Sequence, residues 1–471
     1  MPDGGLSSFL GEAQNAPVAG RAPAGSNRLS AQELAAATPA TRNRYVDLLR
    51  VVSIFVVVLG HWMMAVLAYR DGKFTGQNLL EIDPWTHILT WIFQVMPVFF
   101  IVGGFTNASS WRSASERGVT YADWLRTRSA RLLGPALIFV AFWTILPMLA
   151  VAAGLLPSSM ARIGGREVAL PIWFLAVYLL TVAAAPPLLA AHRRFGVGVF
   201  IVLAVAAAVV DAARYGLDLP FIAVMNYAFV WLAILELGFL WRDGVLTRDR
   251  WIPWAMAGAG LIVLAGLTTQ FDYPVSMIGL THAQRSNTLP PTLALLALAV
   301  WQCGAMLILH DAANRWLARP RVWVGVVLSN SMVMTFYLWN MTAAVLAAVI
   351  LLPTGLAPQP ETLSAAWWWW RLGWVAACAV CLVPFLFAFR WAERPGAPPP
   401  PAGAGWIGLA TSIAGAIAAS AGMAIIAAEA FPVQGEVVAK PALGVLLLAA
   451  GALLLRVNPV GPLLRSSQPV R

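Results

Sequence analysis

Charge is scarce in this chain: only 11% of its 471 residues are Asp, Glu, Lys or Arg, while 60% are hydrophobic. That balance excludes an ordinary soluble domain, in which roughly a quarter of the residues carry charge. Cysteine is almost absent, with three in all. A disulfide framework is thereby excluded. Cys378 and Cys381 are spaced as C-x-x-C but have no second pair with which to close a zinc site, so they read as small packing residues and no metal is expected. The apolar segments lack the alternation of barrel strands, and no internal repeat marks duplicated transporter halves. Residues 1–43, rich in Ala, Gly, Ser and Pro, contain no run long enough for a signal peptide and read as a disordered cytoplasmic tail.

What the chain has in abundance is long apolar runs. Twelve are expected to cross a bilayer, near 46–69, 88–108, 132–156, 170–190, 196–212, 219–241, 251–271, 289–309, 325–352, 366–389, 405–428 and 440–457. Lipid offers backbone groups no partner outside the segment, so the expected fold is an all-α, polytopic transmembrane helix bundle. A composition break over 392–404, containing Pro398 to Pro401, reads as a semi-rigid linker. It divides a ten-helix domain, 44–391, from two additional helices within 405–471.

The formal net charge of +10 raises the question of nucleic acid, but its distribution answers against it. Basic residues gather in alternate loops, at Arg42 and Arg44, at Arg112 to Arg131, at Arg193 and Arg194, and at Arg242 to Arg250; the pattern continues at Arg315 to Arg321, Arg390 and Arg394, and Arg456 and Arg465. The intervening loops hold Asp71, Glu81, Asp83, Asp218, Asp272, Glu361 and Glu436. This is the positive-inside pattern, which implies a multi-pass protein of the plasma membrane with both termini cytoplasmic.

The first helix carries Arg50 near its start and His61 eleven residues later. Eleven residues are close to three turns, so the two side chains share a face and lie roughly 16 Å apart along the axis. Ionisable groups inside a bilayer are costly and mark functional sites by default. In the second helix Pro97 can kink the axis, and Gly103 and Gly104 permit close approach of another helix or a ligand. A basic loop then leads to the third helix, with Arg126, Arg128 and Arg131. The last two share a helical face and read either as a phosphate clamp or as a membrane anchor. Glu236 lies at the depth of Arg50, and an Arg50–Glu236 ion pair is expected from charge compensation. His192 and His310 read as surface residues of cytoplasmic loops; His87 and His282 border the outer face. Trp367 to Trp370 read as an interfacial aromatic belt.

The order of these motifs resembles the acyltransferase-3 family of membrane acyltransferases. The matching elements are Arg50 and His61, the stretch Phe99 to Phe105, Arg128 and Arg131, Pro171 to Leu175 with Trp173, and Ser331 to Asn340. They span about 44–391. The resemblance implies transfer of an acyl group, here expected to be acetyl, usually from a cytoplasmic acyl-CoA to a hydroxyl of a carbohydrate or related acceptor, often an envelope glycan, with Arg50 and His61 tied to activity and the arginine pair to the donor. It implies no permanently bound cofactor. One departure stands out: the ninth-helix motif commonly ends in His, and here Asn340, which cannot titrate, takes that place.

For His61 itself the chemistry fits a general base, because burial favours the neutral imidazole that can accept a hydroxyl proton. Asp47 is too far along the helix to orient the ring, so Glu81 and Asp83 of the external loop are the candidate partners. The alternative function is a twelve-helix secondary transporter with Arg50 and His61 in a substrate or proton path. Against it, the loop between the second and third helices lacks the Gly-x-x-x-Asp-Arg-x-Gly-Arg pattern of major-facilitator carriers. Asn340 also leaves open an inactive relative.

Overall fold

A computed structural model of the protein describes residues 42–280, 285–394, 398–402, 405–432 and 438–461. The expected tail up to residue 41, parts of the expected linker and His282 lie outside them. Among the described residues, eleven helices are long and apolar enough to cross a membrane. The structure is an all-α polytopic bundle.

Helix α1 is Arg44–Met64, and its start is fixed locally. The Asn43 side chain accepts from the backbone N–H groups of Tyr45 and Val46, satisfying donors that the helix itself cannot. Its far end comes earlier than expected. The residues read as a last helical turn instead form strand β1, Ala65–Arg70, which pairs antiparallel with β2, Lys73–Asn78. Asp71 and Gly72 both take positive φ, the two-residue turn that suits a hairpin's twist.

Other boundaries shift for reasons that the residues supply. The second span breaks at Gln94 and Val95, and helix α2 runs Met96–Glu116. Pro97 therefore sits in its first turn, where a missing N–H is harmless, and does not kink it. The basic loop of the sequence reading is helical: α3 covers Tyr121–Ala152, with Thr120 accepting from the Asp123 N–H. Ahead of the fourth span lies a short helix that the reading missed, α4 at Ser158–Ala169, followed by α5 at Ile172–Phe195. Helices α6 (Gly198–Gly216), α7 (Asn226–Arg242), α8 (Trp251–Gln270) and α9 (Leu293–Leu317) follow as expected.

The ninth span is divided into α10, Pro320–Asn330, and α11, Val333–Leu351. The break is stabilised from a distance. The Glu393 carboxylate accepts from the N–H groups of Met334 (3.0 Å) and Thr335 (2.6 Å) at the start of α11, where the helix dipole favours an anion. Helix α12 is Ala365–Phe389; α13, Trp406–Glu429, and α14, Ala439–Leu454, form the C-terminal pair. At 16 residues α14 is shorter than a full span.

The starts of α1 and α3 and the ends of α2, α5 and α7 share one end of the bundle, the basic end. The hairpin lies at the other. Gly104 of α2 and Gly238 of α7 let these helices touch: a Cβ on Gly104 would overlap the Leu235 carbonyl oxygen. The glycine pair thus answers to helix packing.

Candidate functional site

The last turn of α1 presents His61, whose Nδ1 lies 3.1 Å from the Asn340 side-chain oxygen of α11. Asn340 is completely buried. Its amide nitrogen donates to the Tyr337 carbonyl, so its oxygen is the atom facing the imidazole. An oxygen accepts, so Nδ1 must carry the proton in the neutral ring. Nε2 is left with its lone pair and with no hydrogen-bond partner among the described residues. The orienting group is therefore Asn340, in place of Glu81 or Asp83.

The same turn is held from two further sides. Trp62 donates its indole N–H to the Asn340 carbonyl at 3.0 Å. On α12 the buried Arg371 donates through Nη2 to the carbonyls of Trp62 (2.8 Å), Met63 (2.7 Å) and Ala65 (2.6 Å). Trp374 adds a bond to the Trp62 carbonyl at 3.0 Å. Arg371 also stands over the Trp367 ring, 4.8 Å from its centroid. Sequence reasoning missed Arg371, because the tryptophans around it already explained the segment as an interfacial belt.

Toward the basic end the structure brings together Arg50, Arg128 and Arg131. Arg50 and Arg131 lie within electrostatic reach of the half-buried Arg128, as does the Tyr178 hydroxyl. The available counter-groups are few. Arg128 donates to the Asn107 side-chain oxygen at 2.6 Å, Arg50 lies 3.4 Å from Asp47, and Asp47 is shared with Arg42 at 2.5 Å. Arg131 is exposed and makes no hydrogen bond or ion pair among the described residues. Three guanidiniums with one shared carboxylate form an anion-seeking surface.

Arg126 does not join them. It is buried on the opposite side of α3, donating to Ser412 Oγ (2.9 Å), Thr411 Oγ1 (3.4 Å) and the Pro400 carbonyl (3.5 Å). It fastens the C-terminal helix pair to the core. The expected Arg50–Glu236 pair is not formed either. Glu236 is completely buried against His192 Nδ1, and His192 Nε2 lies 3.3 Å from Asp243. His192 is thus an internal residue of α5, not a surface one. The helix runs one turn further than the sequence reading allowed, which carries His192 inside.

Between the two ends, side chains from the separate sequence motifs converge. Phe99 and Phe100 of α2 meet Phe174 of α5 at centroid distances of 5.0 and 5.6 Å. Trp173 and Phe100 both approach Trp231, and Tyr337 of α11 donates to the Pro171 carbonyl at 2.7 Å. A Cβ on Gly103 would press on the Tyr178 ring, so that glycine seats the aromatic which faces Arg128. Cys378 is buried and Cys381 half-buried, and no group of His, Cys, Asp and Glu among the described residues is arranged for a metal.

One helix, α1, therefore carries an oriented imidazole at one end and part of a cationic cluster toward the other. Residues 43–386, well over half of the chain, match the family described as an acyltransferase domain. No curated protein and no solved structure matches the chain.

Proposed function

The chain belongs to the acyltransferase family, and on that premise we propose that it moves an acyl group from acyl-CoA to a hydroxyl of a carbohydrate or other cell-envelope acceptor. The family match decides for acyl transfer over the transporter alternative. The observation that carries the finer reading is the separation on α1. Arg50, with Arg128 and Arg131 beside it, lies roughly 16 Å along the axis from His61. A donor held by its phosphates at the arginines can reach the base only if its acyl group rides on a long arm, as the thioester of acyl-CoA does.

The chemistry follows from the tautomer. His61 Nε2 takes the proton of the acceptor hydroxyl while its oxygen attacks the thioester carbonyl. The C–O bond forms, the tetrahedral intermediate collapses, the C–S bond breaks, and the thiolate leaves with the bonding electron pair. The imidazolium then gives that proton to the departing thiolate, directly or through water, and the ring regains its starting state. Asn340 accepts from Nδ1–H throughout, so the ring does not turn away as its charge changes. A small acyl group such as acetyl suits a half-buried imidazole held against Asn340. The alternating charge supports a plasma-membrane protein with the basic end in the cytoplasm, which sets donor and acceptor on opposite faces.

His61→Gln tests the reading. Glutamine keeps size and hydrogen bonding but cannot take a proton, so transfer of labelled acetyl from acetyl-CoA into envelope material should fall ~10²–10⁴-fold in folded protein. Near-normal transfer by that variant would remove His61 from the mechanism.

A further inference from the structure

We propose that Arg371 is a positioning residue for His61, acting by clamping the carbonyl end of α1. The inference rests on the acyl-transfer reading above. A helix ends with carbonyls that have no partner inside it and with a partial negative charge. In α1 these carbonyls follow directly after His61. A single buried guanidinium takes two of them, those of Trp62 and Met63, together with that of the capping residue Ala65, at 2.6–2.8 Å, and Trp374 shares the first. Trp62 in turn reaches across to the Asn340 carbonyl. The base and its orienting amide are thereby fixed to one frame.

The arrangement is more specific than a generic helix cap. All three carbonyls converge on one nitrogen, Nη2, whose two protons they share, and with the Trp374 bond these contacts tie the last turn to α12; 100° of rotation per residue would carry His61 away from Asn340. The guanidinium is also pre-set, since the Trp367 ring lies against it. Arg371 touches neither donor nor acceptor in this scheme; its effect passes through the imidazole.

The test is a double-substitution cycle in purified full-length protein reconstituted in liposomes, with labelled acetyl-CoA as donor. Arg371→Gln should lower kcat ~10–100-fold, the scale associated with about 1 Å of misplacement, and leave the KM for acetyl-CoA unchanged. In a His61→Gln background the same substitution should cause no further loss, because its route runs through the missing imidazole. Arg371→Lys should recover part of kcat, its ammonium keeping the charge and the donors but not the planar group that lies against the Trp367 ring. Selective ¹⁵N-histidine spectra give a readout independent of turnover: the His61 signal should show Nδ1–H and unprotonated Nε2 in the wild type and mixed tautomers in Arg371→Gln. Should Arg371→Gln fail to fold, Trp374→Phe, which deletes one donor to the same turn, should show a smaller loss of the same kind. Equal losses in both backgrounds, or unchanged tautomer signals, would overturn the proposal. A wild type inactive with every acyl-CoA, yet with the stated tautomer shift in the variant, would count against the acyl-transfer reading alone.

Discussion

Replacing Asn340 with alanine separates orientation of the base from its presence. The Asn340 side chain makes two hydrogen bonds in a completely buried position, to His61 Nδ1 at 3.1 Å and to the Tyr337 carbonyl. Removing it leaves the His61 Nδ1–H without a partner, while the Tyr337 carbonyl stays within the α11 helix, so the loss of stability should be about 1–3 kcal/mol. The Trp62 bond survives, because it goes to the Asn340 backbone. The kinetic consequence is larger. Without an acceptor at Nδ1 the imidazole can turn and can carry its proton on Nε2, the nitrogen that must be free. Complete loss of the base is worth ~10²–10⁴ in rate, so loss of its orientation should remove ~10–10³ of that. Asn340→His should restore much of it, since a neutral ring nitrogen can accept from Nδ1–H. Initial rates of acetyl incorporation, read beside melting temperatures, measure both effects. A near wild-type rate for Asn340→Ala with a lowered melting temperature would refute the tautomer argument.

Paired Arg128→Gln and Arg131→Gln should weaken acyl-CoA binding by roughly 2–4 kcal/mol, since each charge-assisted bond is worth about 1.5–3 kcal/mol and the two are not additive. Arg126→Gln should leave donor affinity unchanged and lower the melting temperature, its partners being Ser412, Thr411 and Pro400; titration calorimetry with a non-hydrolysable acyl-CoA distinguishes the two. Gly104→Leu should separate α2 from α7 and reduce stability by about 1–3 kcal/mol or more, measured by thermal unfolding. In a background free of native cysteines, impermeant thiol reagents should label cysteine at Thr75 or Pro358 from outside intact cells and fail at Arg117. All three positions are exposed, so uniform labelling would contradict the proposed orientation.

Arg50 and His61 were legible in the sequence because they break an apolar run at helical spacing, a pattern needing no tertiary information. The spans were legible for the same reason. What holds His61 was not. Asn340 drew notice as a departure from the family pattern, but its pairing across 279 residues depends on how α1 and α11 pack. Arg371 bonds only to backbone carbonyls, which no side-chain pattern records. His192 was misplaced by a boundary error of one turn: the two arginines after it signal a loop, yet α5 continues to Phe195 and turns the imidazole onto Glu236. The break before α11 is likewise invisible locally, because its capping carboxylate, Glu393, comes from beyond α12.

The environment of Asn340 also bears on whether an asparagine in that place silences the enzyme. Its hydrogen bonds assign the position two duties: to accept from His61 Nδ1–H and to stay fixed while doing so. Neither requires a group that titrates. The hydroxyl proton goes to Nε2, on the far side of the ring, and a proton transferred onward to residue 340 would leave Nδ1 bare and the tautomer reversed. An acceptor that cannot be protonated near neutral pH protects against that failure. Asparagine also gains a second anchor, because its amide nitrogen holds the Tyr337 carbonyl and so cannot exchange places with its oxygen without setting two carbonyl oxygens against each other. The substitution is therefore compatible with an active transferase in which His61 is the proposed base.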